Sequence, residues 1–331
     1  MARVGVLIPF RLKSDQQLEW LIAAIKSVEA QKYTDWRLIL VNDHSEADIT
    51  LLKKYLQTLP REKFHAFTSD MNGVSSARNY GVRRASSEIE LIMPLDADDL
   101  LPVDSLDVQV RAWDAEGHKH GIVFGDIKTF GDDWSRIIET GPYDFRELLH
   151  GSYMLVGCLH SRKSWEKVGG WKHEMDNGLE DWEYWVAMGE IGICGYHVPQ
   201  VTYEYRKHSE GRLAWLRSDE TRFQAAIQKM RSLHDNVYKG RYPMGCCGKG
   251  SKLAPSASSA NVTVDDGRRI DVIYYGNQKA SFFVKGRVTG TLYKIPGTGK
   301  HLMTQDGLLG VFQADLKFIL SMGGNSVFQR T

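Results

Sequence analysis

Three carboxylates close an apolar run: Leu91-Ile92-Met93-Pro94-Leu95 is followed by Asp96-Ala97-Asp98-Asp99. A rigid strand that ends this way projects acidic side chains into the crevice beyond it. Hard divalent cations take carboxylate and phosphate oxygens in preference to nitrogen or sulfur. The pattern therefore suits Mn²⁺ or Mg²⁺ carrying a diphosphate. It also suits a plainer role, in which Asp98 or Asp99 caps a helix beginning near Leu100-Leu101-Pro102. A second acidic pair stands in Gly178-Leu179-Glu180-Asp181-Trp182. The macrodipole favours carboxylates in the first turn of a helix. A carboxylate there that also faces a cleft can take a proton from an attacking hydroxyl within hydrogen-bond reach.

Both clusters need elements to position them. Val4-Gly5-Val6-Leu7-Ile8-Pro9-Phe10 reads as a buried first strand of a parallel sheet. Leu18, Leu21, Ile22, Ile25 and Val28 then recur at helical spacing over residues 18–29. A second strand spans residues 36–41, a helix about 48–59, and a third strand about 64–68, before the Asp96 strand. Strands alternating with helices predict an α/β doubly wound sheet, whose ligands lie beyond the carboxyl ends of its strands.

In this order the segments resemble family 2 glycosyltransferases of the GT-A fold, over roughly residues 3–212. Asn42-Asp43-His44-Ser45 stands where that family grips the nucleobase, and Asn72-Gly73-Val74-Ser75-Ser76-Ala77-Arg78-Asn79 resembles its segment ending in Ala-Arg-Asn. The resemblance implies a mixed GT-A sheet with flanking helices. It places Pro9, Phe10, Arg11, Asp43, Asn72, Arg78, Asp96 and Arg206 at the nucleotide. The metal falls to Asp98, Asp96 and His208, the last from Tyr203-Glu204-Tyr205-Arg206-Lys207-His208. Val168-Gly169-Gly170-Trp171 precedes the acidic pair as a similar turn does in the family, which makes Asp181 the base and Glu180 its support. Arg206 and Arg212 would neutralise the leaving diphosphate. The implied reaction is direct displacement with inversion from a nucleotide-sugar, UDP being the commonest donor nucleotide in the family.

Trp171, Trp182, Tyr184 and Trp185 crowd the base. Most belong in a core, and Trp182 is the candidate to line the acceptor side. His44, His160, His173 and His197 have no comparable context and read as non-catalytic. A glycoside hydrolase would need paired carboxylates across a water and no nucleotide crevice. A metal-dependent nucleotidyltransferase would be expected to carry a Gly-rich phosphate loop after the first strand, where this chain has Phe10-Arg11-Leu12-Lys13.

The chain has 331 residues, 42% of them hydrophobic, enough for one large core and a small second one. Residues 1–240 form the expected catalytic domain and residues 241–265, rich in Gly, Ser and Ala, a linker. Residues 266–331 form a small basic β-rich domain, with strands near 270–275, 280–284, 288–293 and 308–312. Residues 241–331 hold twelve Lys plus Arg against five Asp plus Glu, a charge of +7. The first 240 hold thirty against thirty-six, a charge of −6. That split suggests an anionic partner, with nucleic acid first. Tyr274-Tyr275-Gly276 and the spacing of Gly286, Gly290 and Tyr293 loosely resemble small β modules of tailed-phage proteins. A phage origin would make a hydroxymethylated base in DNA the acceptor; a surface polysaccharide, a teichoic-acid-like polymer or a protein side chain are the alternatives. Without a spanning apolar run or a signal peptide, the sequence reads as cytoplasmic, in the host if viral. Adjacent Cys246 and Cys247 lack zinc-ligand spacing, and an oligomer stays open.

Overall fold

The computed structural model describes residues 2–132, 135–208 and 211–241, together with the backbone of five strands between residues 258 and 304. The chain divides into two units, Met1–Lys249 and Gly250–Thr331.

The first unit is built on a mixed sheet of eight strands: β1 Val4–Phe10, β2 Trp36–Asn42, β3 Phe64–Thr68, β4 Leu91–Pro94, β5 Gly121–Gly131, β6 Ile137–Ile138, β7 Leu159–Ser161 and β8 Cys194–Lys207. The order is β3-β2-β1-β4-β7-β5-β6, with β8 pairing β5. The segment β3-β2-β1-β4 is parallel, β7 runs antiparallel to both β4 and β5, and β8 is parallel to β5. Every residue of β1 is buried, as its unbroken apolar run requires for a strand covered on both faces.

Helices cover the two faces. The Asp15–Glu29 helix buries Leu18, Leu21, Ala24, Ile25 and Val28. It starts three residues before the apolar stripe does, because the Ser14 side chain accepts from the Gln17 N–H and caps it. The helix predicted over 48–59 is shorter, Thr50–Leu56. The opposite face is covered by the Val74–Arg84 and Glu180–Glu190 helices, whose Ala77, Val82, Trp182, Tyr184 and Trp185 join one core cluster with Leu7, Ile39 and Ile92. No helix among the described residues is long and apolar enough to cross a membrane.

The second unit carries a five-stranded antiparallel sheet, β9 Ser258–Val264, β10 Arg269–Tyr275, β11 Phe282–Lys285, β12 Leu292–Ile295 and β13 His301–Thr304, in the order β11-β12-β9-β10-β13. Strand β9 occupies residues whose Ser and Ala content reads as linker; a strand with two hydrogen-bonded neighbours does not need apolar residues at every position. The strand expected over 308–312 lies outside the described residues.

Candidate active site

Strand β4 carries the first acidic cluster into place. Its continuation is held to β1 by the Leu95 N–H, which donates to the Leu7 carbonyl at 2.9 Å. No helix follows at Leu100, as the plainer role of the aspartates would need. Leu100 instead forms an antiparallel bridge with Glu204 of β8, and the next helix is Ser105–Ala112. Asp96, Asp98 and Asp99 each have a carboxylate oxygen within 4.8 Å of the others'. Asp98 is the most open, its side chain 37% exposed, and its Oδ2 lies 2.9 Å from His208 Nε2. Burial raises the Asp96 carboxyl above the ordinary range, with Asp98 adding to the rise and Arg78 opposing it. Burial, then Asp98 and Asp96, push Asp99 well above that range. Crowded oxygen donors beside an imidazole suit a hard divalent cation such as Mn²⁺.

The second cluster opens the Glu180–Glu190 helix. Leu179, the residue before it, has φ 66° and ψ 17°, a left-handed conformation that costs a non-glycine residue roughly 1–2 kcal/mol. This turn delivers Glu180 and Asp181 to the cleft. Asp181 Oδ1 accepts from the Trp182 N–H at 2.8 Å. Glu180 Oε1 accepts from Arg78 Nη1 at 3.0 Å and from Arg212 Nη2 at 2.7 Å. Burial favours the neutral form of Glu180, but Arg212 and Arg78 outweigh it and hold the carboxyl below its ordinary range. Asp181 goes the other way: burial, with the neighbouring charge of Glu180, pushes it up to about 7. One acid of the pair stays ionised, and the other is poised to exchange a proton near neutrality.

Arg78 joins the two clusters. Its side chain is fully buried, Nη2 donating to Asp96 Oδ1 at 2.6 Å while Nη1 holds Glu180. It lies behind the cleft wall, so its fork is turned to two carboxylates rather than out toward a nucleotide. Asn72 is exposed and does not line the cleft. Pro9, Phe10, Arg11, Asp43, Asp96, Asp98, Glu180, Asp181, Arg206 and His208 all line one cleft of about 650 Å³. Asp43 is buried and accepts from the Gly73 N–H. Arg11 pairs with Glu46 at 2.9 Å. Arg206 Nε donates to the Asp98 carbonyl, and its guanidinium sits over the Trp20 and Phe130 rings.

Sequence reasoning missed three residues. Trp20 lines the cleft with its ring centroid 4.6 Å from that of His208. Its place off the Leu18, Leu21, Ile25 stripe was the available signal. Asp176 Oδ1 accepts from the Ser75 N–H at 2.8 Å and so caps the Val74–Arg84 helix from a distant segment. Gly73, at φ 108°, leaves room for it: a Cβ there would fall 2.0 Å from Asp176 Oδ2. Tyr203 lies beneath the Asp96–Asp99 turn, its hydroxyl touching both ends. Trp182, the expected aromatic of the acceptor side, is a core residue: it is 7% exposed and its Nε1 donates to the Leu148 carbonyl at 2.6 Å.

Residues 6–161 match the family described as Glycosyl transferase family 2. A relative from Rickettsia bellii (strain RML369-C), named an uncharacterized glycosyltransferase, is 30% identical over 142 residues, which cover 43% of this chain and 18% of that one. The chain therefore spans less than a fifth of that relative's length. Staphylococcus aureus TarS 1-349, solved in complex with UDP-GlcNAc, is similar with a TM-score of 0.53 at 14% identity, over 65% of this chain and 61% of that one. The mannosyltransferase PcManGT from Pyrobaculum calidifontis, in complex with GDP-Man and Mn²⁺, is similar with a TM-score of 0.52 at 19% identity, over 73% of this chain and 66% of that one. The likeness to these two structures establishes the fold of the first unit as the mixed α/β sheet with flanking helices of GT-A glycosyltransferases.

Proposed function

We propose that this chain is a metal-dependent, inverting glycosyltransferase that moves a sugar from a nucleotide-sugar, a UDP-sugar first, to an acceptor hydroxyl. One observation carries the reading: a single cleft is lined by an oxygen-rich cation site, Asp96 and Asp98, and by a carboxylate poised near neutrality, Asp181. The match of residues 6–161 to a transferase family supports it, as do the UDP-GlcNAc and the GDP-Man with Mn²⁺ held by the two similar structures.

Asp98, with Asp96 and His208, would hold Mn²⁺ or Mg²⁺, which when bound supplies Lewis-acid neutralisation of a leaving diphosphate. Pro9, Phe10, Arg11 and Asp43 line the end of the cleft assigned to the nucleotide, and Arg206 adds positive charge beside the Asp98 turn. Asp181 takes the proton of the acceptor hydroxyl as that oxygen bonds to the anomeric carbon. The bond from that carbon to the diphosphate oxygen breaks, and its electron pair leaves with the nucleoside diphosphate. Attack opposite the leaving group inverts the anomeric configuration. Glu180, kept ionised by Arg78 and Arg212, disfavours a second negative charge beside it, which keeps Asp181 basic, while the Trp182 N–H orients the Asp181 carboxylate.

For the acceptor, the +7 charge of residues 241–331 favours a polyanion. A hydroxymethylated base in phage DNA offers both that charge and a primary hydroxyl, although a base paired in a duplex must first be flipped out. Incubating the protein with Mn²⁺ and a panel of nucleotide-sugars, with plain DNA, hydroxymethylcytosine DNA, hydroxymethyluracil DNA or no acceptor, tests both parts. Release of nucleoside diphosphate with a hexose or pentose mass increment on the modified base is the expected result. Donor turnover without that increment keeps the transferase and moves the acceptor to a surface polysaccharide, a teichoic-acid-like polymer or protein. No turnover of any donor, with any of these acceptors, overturns the transferase.

A further inference from the structure

Strand β8 grips the Asp96–Asp99 turn along its length. Leu100 and Glu204 exchange backbone hydrogen bonds at 3.0 and 2.9 Å. The Arg206 N–H donates to Asp99 Oδ1 at 2.7 Å, and Arg206 Nε donates to the Asp98 carbonyl at 2.7 Å. Next to these ties on β8 stands Tyr203, 1% exposed. Its hydroxyl accepts from the Asp96 N–H at 3.3 Å and donates to Asp99 Oδ2 at 2.8 Å. The ring packs closely on Gly157, where an added Cβ would fall 1.9 Å from its nearest atom. A single phenol oxygen thus fixes both ends of the turn from below.

Asp99 belongs to the carboxylate cluster by distance, yet it differs from Asp98 in its surroundings. Both of its oxygens already accept hydrogen bonds from within the fold, and the residue is 1% exposed. We infer that Tyr203 and Asp99 are positioning residues for the cation site, a buried hydroxyl and a buried carboxylate that lock the turn so that Asp98 is presented to the cleft, and that Asp99 is not itself a ligand. The inference rests on the metal-dependent reading above. Partners that orient a ligand without touching the ion commonly change metal affinity ten- to a hundredfold when removed.

The test is a Mn²⁺ titration of the full chain, free Mn²⁺ being read from its electron paramagnetic resonance signal, with melting temperatures taken in chelator. Tyr203→Phe removes one oxygen and keeps the ring against Gly157. It is expected to weaken Mn²⁺ binding about ten- to a hundredfold while the melting temperature in chelator stays within a few degrees. Asp99→Asn is expected to lose a similar factor, and the double variant less than the product of the two single losses, because the two residues share the Tyr203–Asp99 hydrogen bond. Wild-type Mn²⁺ affinity in Tyr203→Phe overturns the inference. So does Asp99→Asn losing as much as Asp98→Asn while Tyr203→Phe is unchanged, which would make Asp99 a ligand. Absence of Mn²⁺ binding by the wild-type chain would overturn the metal-dependent reading itself, together with what rests on it.

Discussion

At the end of β4, Asp96, Asp98 and Asp99 crowd together with one internal guanidinium, Arg78, reaching Asp96; at the start of the Glu180–Glu190 helix, Glu180 alone receives two, from Arg78 and Arg212. The first cluster is under-neutralised, and half-buried Asp96 and buried Asp99 are pushed toward their neutral forms. The second is divided, with Glu180 held ionised and Asp181 raised to about 7. Adjacent carboxylates therefore acquire different chemistry from the cations supplied to them. A cluster short of internal positive charge is suited to an external cation, whereas a cluster with charge on one member is suited to proton transfer by the other.

The largest expected effect breaks the divided side. Asp181→Asn removes the proposed base and should lower transfer by roughly 10²–10⁴-fold, while UDP affinity in Mn²⁺ is unchanged; transfer near the wild-type rate would put the base elsewhere. The wild-type rate should climb with pH through about 7, as Asp181 loses its proton. Stability has the opposite slope. Because the folded pKa lies above the unfolded value of about 3.9, the native state holds a proton between about pH 4 and 7 that the unfolded chain has released, so this residue's contribution falls as pH rises through that window. Urea midpoints at pH 5 and 8 should lie closer together in Asp181→Asn than in the wild type.

The next effect severs the bridge between the clusters. Arg78→Met leaves Asp96 and Glu180 without their shared partner in a buried setting, and removal of one member of such a pair costs about 3–5 kcal/mol. Urea denaturation in chelator measures it, and a loss below about 1 kcal/mol would mean that the two sides are held together by other contacts. Smaller still is the effect of Asp98→Ala. UDP affinity should fall at least about tenfold, or about 1.4 kcal/mol, in Mn²⁺ and stay the same in chelator. Equal weakening in both conditions would separate Asp98 from the metal.

What could be read from the chain follows from how local each feature is. Strands β1 and β3 could be bounded closely because each is a short apolar or β-favouring run with clear punctuation. The start of the Glu180 helix showed in its acidic first turn. The direction of Arg78 did not show, because its partner Glu180 is 102 residues away and a cation opening a helix toward a cleft looks the same whether it turns outward or inward. Asp176 capping a helix 101 residues earlier is hidden for the same reason. Leu179 in a left-handed conformation has no sequence marker, since glycine is the usual one and the residue is not glycine. Trp20 was legible in principle, as a large aromatic off the buried stripe of its helix.

The smallest expected effect concerns the residue that follows the proposed base. Trp182 is adjacent to Asp181, and adjacency on the chain suggested an acceptor-side aromatic; its helix instead turns the ring into the core, where Nε1 holds the Leu148 carbonyl. Trp182→Phe keeps an aromatic ring and removes that donor, leaving a carbonyl to find another partner. A lost hydrogen bond of this kind costs about 1 kcal/mol, read as a lower urea midpoint, and KM values for donor and acceptor should be unchanged because the ring does not line the cleft. A tenfold rise in acceptor KM at wild-type stability would instead return Trp182 to the cleft. The backbone N–H of Trp182 holds Asp181 Oδ1, and it survives the substitution. The base should therefore keep its orientation, and a change in kcat without a change in stability is not expected.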